Sequence, residues 1–197
     1  MPPTSPDSLP PCARPALFFD RDGIANIAPG PGYVNALADF HVRPEFLQAL
    51  QVAAARHWPC LVVTNQRGVA RGLTPPAELD AMHAALRAAA AEAGAPLLDI
   101  LVCTSADPSH PDRKPNPGLF RKAADLYHLD LSRSWMIGDR ESDVTAGLNA
   151  GCAVTVRVDD DGTAHRPDAL LPTRATYRLP ALSALPPLLS ATLPLLP

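Results

Sequence analysis

The stretch LFFDRDGIAN, residues 17–26, begins with three apolar residues and continues directly into two closely spaced carboxylates. A short apolar run of this kind is typical of a strand that is buried on both faces. Asp20 and Asp22 then follow the strand, and Gly23 permits a tight turn. In an open parallel sheet, ligands bind outside the carboxyl ends of the strands. The stretch therefore predicts both a sheet and the edge of it that carries a functional site.

Apolar runs and helix-like stretches alternate along the rest of the chain. The predicted strands are ALFF (16–19), CLVV (60–63), LDILV (98–102), SWMI (134–137) and AVTV (153–156), with an edge strand at 177–179. The predicted helices cover 44–56, 75–94, 116–129, 141–150 and 180–189, and Thr74 is a candidate N-cap. This alternation predicts an α/β fold, a Rossmann-like three-layer α/β/α sandwich with a mainly parallel central sheet.

Length and composition favour one globular domain. The chain has 197 residues, of which 47% are hydrophobic, and a net charge of −3. We expect a flexible proline-rich lead-in at 1–15, a single domain at 16–190 and a tail at 191–197. No basic excess argues for nucleic acid, and no apolar run approaches the ~20 residues of a membrane helix. The N-terminus also lacks a signal pattern, so we expect a cytoplasmic monomer without nucleic-acid or membrane partners.

Polar side chains follow two further strands. Thr64 comes at the end of the second predicted strand, and Asp139 and Asp143 come after the fourth. Oxygen ligands without thiolate or imidazole suit Mg²⁺, and a carboxylate beside such an ion can attack phosphorus. Lys114 adds a positive point charge. Because only two of the 17 basic residues are lysine, a lysine at this position indicates a specific role. Each motif alone is compatible with a solvated turn or a helix cap, but their order and placement favour phosphoryl transfer.

The motifs FFDRDG, VTNQ, RKPNPG and IGDRESD, in that order, resemble those of the haloacid dehalogenase (HAD) phosphohydrolases. The resemblance implies that Asp20 is the nucleophile and a Mg²⁺ ligand. It implies that Asp22 is the general acid and base and a ligand through its backbone carbonyl. Thr64 and Lys114 would hold the phosphoryl group. Asp139 would complete the metal site, and Asp143 would orient it from behind the ligands.

The spacing of the motifs indicates a HAD protein without a cap domain. About 21 residues separate Gly23 from the helix at Pro44, and ten lie between Cys103 and Lys114, which is too few for an inserted domain. Substrate specificity would then depend on the loops 24–43 and 104–113. Within this group, TNQRGVARG, PGYV and RKPNPG resemble the D-glycero-D-manno-heptose 1,7-bisphosphate 7-phosphatases. IGDRESD is nearer to the histidinol-phosphatases, which remain the alternative. A phosphorylatable receiver-like module is the non-enzymatic alternative.

The candidate substrate-binding residues are polar or lie in the loop that contains PGYV. The arginines could bind a second anionic group of a small phosphorylated substrate, or could be solvated. The set is Gly32, Tyr33, Asn65, Gln66, Arg67, Arg71, Arg113 and Arg140.

The phosphatases that the chain resembles usually carry a zinc-binding loop directly before the Arg-Lys-Pro motif. In LVCTSADPSHPDRKP, Cys103 stands alone, Ser105 occupies the expected histidine position, and His110 is the one remaining imidazole. One thiol and one imidazole do not close a zinc site, so no structural zinc is expected. Ile24 also departs from the family pattern, which usually has Thr there.

Overall fold

Six strands form a single parallel sheet in the computed structural model, which describes residues 13–30, 32–160 and 172–197. The strand order is β3-β2-β1-β4-β5-β6, so β1 lies inside the sheet between β2 and β4. The strands are β1 Leu17–Phe19, β2 Cys60–Asn65, β3 Asp99–Cys103, β4 Trp135–Gly138, β5 Val154–Val158 and β6 Tyr177–Leu179. The predicted α/β fold with a parallel sheet is confirmed.

Helices cover both faces of this sheet. They are α1 Pro44–Ala55, α2 Pro76–Glu92, α3 Gly118–Tyr127, α4 Glu141–Ala150 and α5 Leu185–Thr192. Because successive strand side chains point to opposite faces, neighbouring residues of β1 join different cores. Phe19 packs edge-on against Phe46 of α1, with 5.3 Å between the ring centroids. Phe18 packs against Phe120 of α3, with 5.0 Å between the ring centroids. The three layers follow from this alternation.

The connections that could hold a cap domain contain only short structure. Between β1 and α1, the described residues form one 3-10 turn, Leu37–Asp39. Between β3 and α3, no helix or strand occurs in the described chain. In the described residues, neither connection therefore contains a cap domain, as the motif spacing predicts.

Two helix starts differ from prediction. α2 begins at Pro76, and Thr74 does not cap it, because its hydroxyl donates to the Oδ1 atom of Asn35 at 2.9 Å. α3 begins at Gly118, two residues after the predicted start, because Asn116 belongs to the preceding turn and donates to the carbonyl of His110 at 2.9 Å. In both cases a contact with another loop outweighs the local capping preference.

The C-terminal segment packs beside the residues that precede β2. α5 extends to Thr192, so the expected boundary at residue 190 falls inside a helix. Trp58 donates to the carbonyl of Pro194 at 2.8 Å, and the Leu193 side chain is buried in the core. Of the predicted lead-in, residues 1–12 lie outside the described residues, whereas Arg14 forms a β-bridge with Leu129. Across the described residues, none of the helices is long and apolar enough for a membrane span.

Candidate active site

The functional residues of three neighbouring strands meet at the carboxyl edge of the sheet. Asp20 follows β1, Thr64 lies at the end of β2, and Asp139 follows β4. A pocket of about 370 Å³ opens there. Its lining comprises Asp20, Asp22, Pro29, Gly32, Tyr33, Thr64, Asn65, Arg67, Pro108, Arg113, Lys114, Pro115, Arg140, Ser142 and Asp143. The sheet order, with β1 between β2 and β4, is what brings these distant segments together.

Three buried carboxylates cluster at this edge of the sheet, and two of them, Asp20 and Asp143, line the pocket. Asp20, Asp139 and Asp143 each offer an oxygen that lies within 4.8 Å of the others. The Nζ atom of Lys114 lies 2.6 Å from Asp20 Oδ1 and 2.7 Å from Asp143 Oδ1, and it also donates to the carbonyl of Val63 at 2.8 Å. One buried ammonium group thus stands between two of the three carboxylates.

The electrostatic balance of this cluster is negative. Burial, followed by the charge of Asp143, raises the pKa of Asp20 to about 6, and Lys114 offsets only part of this shift. Burial alone would lower the pKa of Lys114, but the carboxylates of Asp143 and Asp20 raise it above its ordinary value. The lysine therefore stays charged, while Asp20 resists ionisation. A further cation at this position would relieve the repulsion.

Two glycines allow the backbone to approach these carboxylates. A Cβ atom on Gly23 would lie 2.5 Å from Asp139 Oδ2, and one on Gly138 would lie 2.2 Å from Asp143 Cβ. Gly23 also has a φ of +94°, as the predicted tight turn requires. Arg43, which is buried, donates to the Gly23 carbonyl at 2.6 Å. The turn after β1 is thus fixed from two sides.

Asp22 is held away from the three-carboxylate cluster by its own partners. Its carboxylate accepts hydrogen bonds from Arg21, from Asn26 Nδ2 at 3.0 Å and from Gln66 Nε2 at 2.8 Å. Burial would raise the pKa of Asp22, but the positive charge of Arg21 and the Gln66 hydrogen bond lower it below the ordinary value. Asp22 still lines the pocket, so it can face a substrate while remaining ionised.

Asn65 and Gln66 have structural partners that sequence reasoning did not anticipate. The Asn65 side chain lines the pocket, but its amide donates to the Lys114 carbonyl at 2.9 Å and accepts from the Lys114 nitrogen at 3.0 Å. Gln66 is buried outside the pocket lining and links Asp22 to the hydroxyl of Thr64, at 2.9 Å. The Gln66 amide therefore faces protein groups, and its contact with substrate stays a prediction.

Arginines and one tyrosine form the rim. The Arg67 guanidinium lies 5.7 Å over the Tyr33 ring, and Arg113 donates to the carbonyls of Ser105 and Ala106, both at 3.1 Å. Gly32, Tyr33, Arg67, Arg113 and Arg140 all line the pocket, as predicted substrate-binding residues should.

Arg71 is displaced from the predicted position at the pocket. It is exposed outside the lining and instead donates to the Tyr33 hydroxyl at 3.2 Å. Its hydrogen bond joins it to Tyr33, which does line the pocket. Sequence reasoning also missed Ser142, although it lies inside the IGDRESD motif, and Pro29, Pro108 and Pro115, whose side chains carry no chemical signal.

The loop 104–113 is held by hydrogen bonds. Cys103 Sγ lies 3.8 Å from His110 Nδ1, and the Asn116 amide donates to the His110 carbonyl at 2.9 Å. The Asp107 carboxylate accepts from the backbone and the hydroxyl of Ser109, both at 2.8 Å. The loop is thus held by hydrogen bonds among its own residues and with Cys103 and Asn116, and the absence of structural zinc stays a prediction. Ile24, the other departure from the family pattern, is fully buried in the core.

Comparison with known proteins agrees with this geometry. Residues 112–185 match the model of the HAD-hydrolase-like family. The D-glycero-beta-D-manno-heptose-1,7-bisphosphate 7-phosphatase of Mesorhizobium japonicum is 35% identical over 178 residues, 86% of this chain and 81% of that protein. The protein of the same name from Pseudomonas putida is 38% identical over 140 residues, 68% of this chain and 77% of that protein. The crystal structure of a D,D-heptose 1,7-bisphosphate phosphatase from B. bronchiseptica, complexed with magnesium and phosphate, superposes with a TM-score of 0.77 at 30% identity, covering 89% and 97% of the two chains.

Proposed function

Since the chain belongs to the HAD-like phosphatases and is a phosphoric monoester hydrolase, we propose that it removes the 7-phosphate of D-glycero-D-manno-heptose 1,7-bisphosphate. One observation carries the proposal: a single pocket joins Asp20, Thr64 and Lys114 to a rim of three arginines. The inner residues suit the phosphoryl group that is transferred, and the arginines suit a second phosphate that stays on the sugar.

The chain's own residues can carry both half-reactions. The Asp22 carboxylate takes up a proton when the anionic phosphate ester binds beside it. An Asp20 oxygen then attacks phosphorus, the bond from phosphorus to the sugar oxygen breaks, and Asp22 gives this proton to the leaving oxygen. Asp22 then takes a proton from water as that water attacks the aspartyl-phosphate, which releases phosphate and restores Asp20. Thr64 and Lys114 donate to the phosphoryl oxygens throughout. Asn65, which binds the Lys114 backbone on both sides, keeps this lysine in place.

The site has the ligands for a magnesium ion. Its donors are all oxygens, and of the three clustered carboxylates, Asp20 and Asp143 share a single ammonium group, that of Lys114. Asp20, Asp139 and the backbone carbonyl of Asp22 would hold the ion, with Asp143 behind them. When bound, Mg²⁺ supplies charge neutralisation between the carboxylates and the phosphoryl oxygens. The magnesium named with the B. bronchiseptica structure supports this assignment.

The rim argues against the two alternatives. Histidinol phosphate carries a cationic amine, which Arg67, Arg113 and Arg140 would repel. A receiver-like module would accept a phosphoryl group on aspartate but has no need for a general acid beside it. Asp22 faces the pocket in this chain, which favours turnover over stable phosphorylation.

The test is the specificity constant kcat/KM on a panel of phosphate esters with Mg²⁺. We expect both anomers of heptose 1,7-bisphosphate to exceed fructose 1,6-bisphosphate and histidinol phosphate, with loss of the 7-phosphate seen by ³¹P NMR. Asp20→Asn should reduce turnover by at least about a thousandfold, since the nucleophile is lost. Asp125→Asn, on the exposed face of α3, is the matched control. Preference for histidinol phosphate would overturn the substrate, and full activity of Asp20→Asn would overturn the mechanism.

A further inference from the structure

Arg21 is a buried cation that faces away from the pocket. Its relative exposure is 0%, and it is absent from the pocket lining among the described residues. Its guanidinium lies 5.6 Å from the centroid of the Phe40 ring. A charge buried in this way is costly unless an opposite charge accompanies it. Arg21 therefore needs a partner, and it cannot touch the substrate directly.

That partner is the carboxylate of Asp22, the next residue. Arg21 Nη2 donates to Asp22 Oδ1 at 2.8 Å and to Oδ2 at 3.0 Å, while Nε donates to Oδ1 at 3.0 Å. A planar guanidinium bound through two nitrogens fixes the orientation of a carboxylate as well as its distance. Asp22 is only partly buried and borders the pocket, so the fixed orientation is presented to whatever occupies it.

Neutral groups hold the same carboxylate from other directions. Asn26 Nδ2 donates to Asp22 Oδ1, and Gln66 Nε2 donates to Oδ2 while also bonding Thr64 Oγ1. Among the described partners of this carboxylate, Arg21 is the one that carries a charge. Because hydrogen bonds from a charged donor are the stronger ones, Arg21 has the largest part in orienting Asp22.

We propose that Arg21 is a positioning residue that aims Asp22 at the oxygen of the leaving group. The inference rests on the proposed phosphatase function, in which Asp22 protonates that oxygen. A misplaced acid slows esters with poor leaving groups, which need the proton, far more than esters with good leaving groups, which depart without it. If Arg21 had a merely structural role, its substitution would slow the hydrolysis of both classes of ester equally.

The experiment measures kcat/KM for p-nitrophenyl phosphate and for glycerol 2-phosphate, whose leaving group is much poorer. This constant covers the step in which the leaving group departs. Arg21→Met should lower the glycerol 2-phosphate value by about a hundredfold or more, and the p-nitrophenyl phosphate value by less than about tenfold. Arg121→Met, on the exposed face of α3, should change neither. An equal fall for the two esters would overturn the proposal.

Two further variants keep the proposal falsifiable if Arg21→Met does not fold. Arg21→Lys retains the charge but loses the planar fork, so it should still change the ratio of the two constants at least about fivefold. In an Asp22→Asn background the same Arg21→Lys change should leave the ratio unaltered, because its effect passes through Asp22. An unchanged ratio in the single variant, or a further change in the double variant, would overturn the proposal. If the wild-type protein hydrolyses neither these esters nor heptose 1,7-bisphosphate, the phosphatase function itself fails, which is a distinct result.

Discussion

Gly23 shows how a single residue limits the active site. Its φ of +94° is unfavourable for any residue with a side chain, and an added Cβ would collide with the Asp139 carboxylate. The strain is local to the backbone, whereas the collision displaces a candidate metal ligand. The two effects can be separated because Gly30 has a similar φ of +69° and no atom within 4 Å of an added Cβ.

We expect Gly23→Ala to lower kcat/KM by at least about tenfold, because Asp139 must move. Its loss in free energy of unfolding should exceed the ~1–2 kcal/mol of backbone strain. Gly30→Ala should lose only the stability that corresponds to the backbone strain, and it should keep its activity. Thermal unfolding and steady-state kinetics of both variants measure the two effects. Equal losses in the two variants would show that the contact with Asp139 is unimportant.

His83, on α2, makes folding stability depend on pH. Burial, followed by the charges of Arg21 and Arg87, lowers the pKa of His83 to about 4. The unfolded chain, with an ordinary histidine pKa, therefore binds more protons between about pH 6.5 and 4 than the folded chain does. Stability is consequently lost as the pH falls through this window. The raised pKa of Asp20 acts in the opposite direction between about pH 6 and 4.

Comparison with His83→Gln separates the two contributions. Between pH 7 and pH 4.5, we expect the free energy of unfolding to fall by about 1–2 kcal/mol more in the wild-type protein than in this variant. This is less than the full pKa shift of His83 implies, because the ring is partly exposed. Urea unfolding of both metal-free proteins at each pH gives the difference. A pH dependence identical in the two proteins would contradict the role of His83.

At the scale of elements, α5 and the residues after it complete one face of the core. α5 packs on α1, and Arg56 at the end of α1 donates to the Ser190 carbonyl at 2.9 Å. Leu193 is 2% exposed, while Leu195, two residues on, is 64% exposed. This pair of leucines allows a matched test of how much the C-terminal segment contributes to stability.

Leu193→Ala should lower the free energy of unfolding by about 2–4 kcal/mol, since it leaves a cavity in the core. Leu195→Ala should change it by less than about 0.5 kcal/mol. Chemical denaturation of the two variants measures both values. Similar small changes would mean that the C-terminal segment is not part of the cooperative core.

At the scale of the whole molecule, metal binding should couple to folding. The carboxylates of the site come from segments more than a hundred residues apart, so the ligand set exists only in the folded chain. A magnesium concentration of a hundred times Kd adds about 2.7 kcal/mol to the free energy of unfolding. This raises the Tm by roughly 5–10 °C in a domain of this size.

Asp139→Asn should lose most of this Mg²⁺-dependent increase in Tm, because it removes a metal ligand and leaves Lys114 with its two partners. Differential scanning calorimetry with and without chelator gives the shift for both proteins. A shift of the same size in Asp139→Asn would exclude the proposed ligand set.

The amino-acid sequence by itself determined the strand and helix order and the parallel sheet, and it predicted the catalytic candidates Asp20, Asp22, Thr64 and Lys114. These follow from apolar runs and motifs that extend over a few residues each. The same local rules misplaced the Thr74 cap and did not predict the hydrogen bond from Gln66 to Asp22, because each of these side chains bonds to a residue in another segment.

Only the tertiary structure decided how the charges are paired. Lys114 lies between Asp20 and Asp143, which are 94 and 29 residues away along the chain, and Arg21 is the cation that holds Asp22. Local sequence patterns record which groups stand at the end of each strand. They do not record strand order, and it is the central position of β1 in the sheet that determines which of those groups meet.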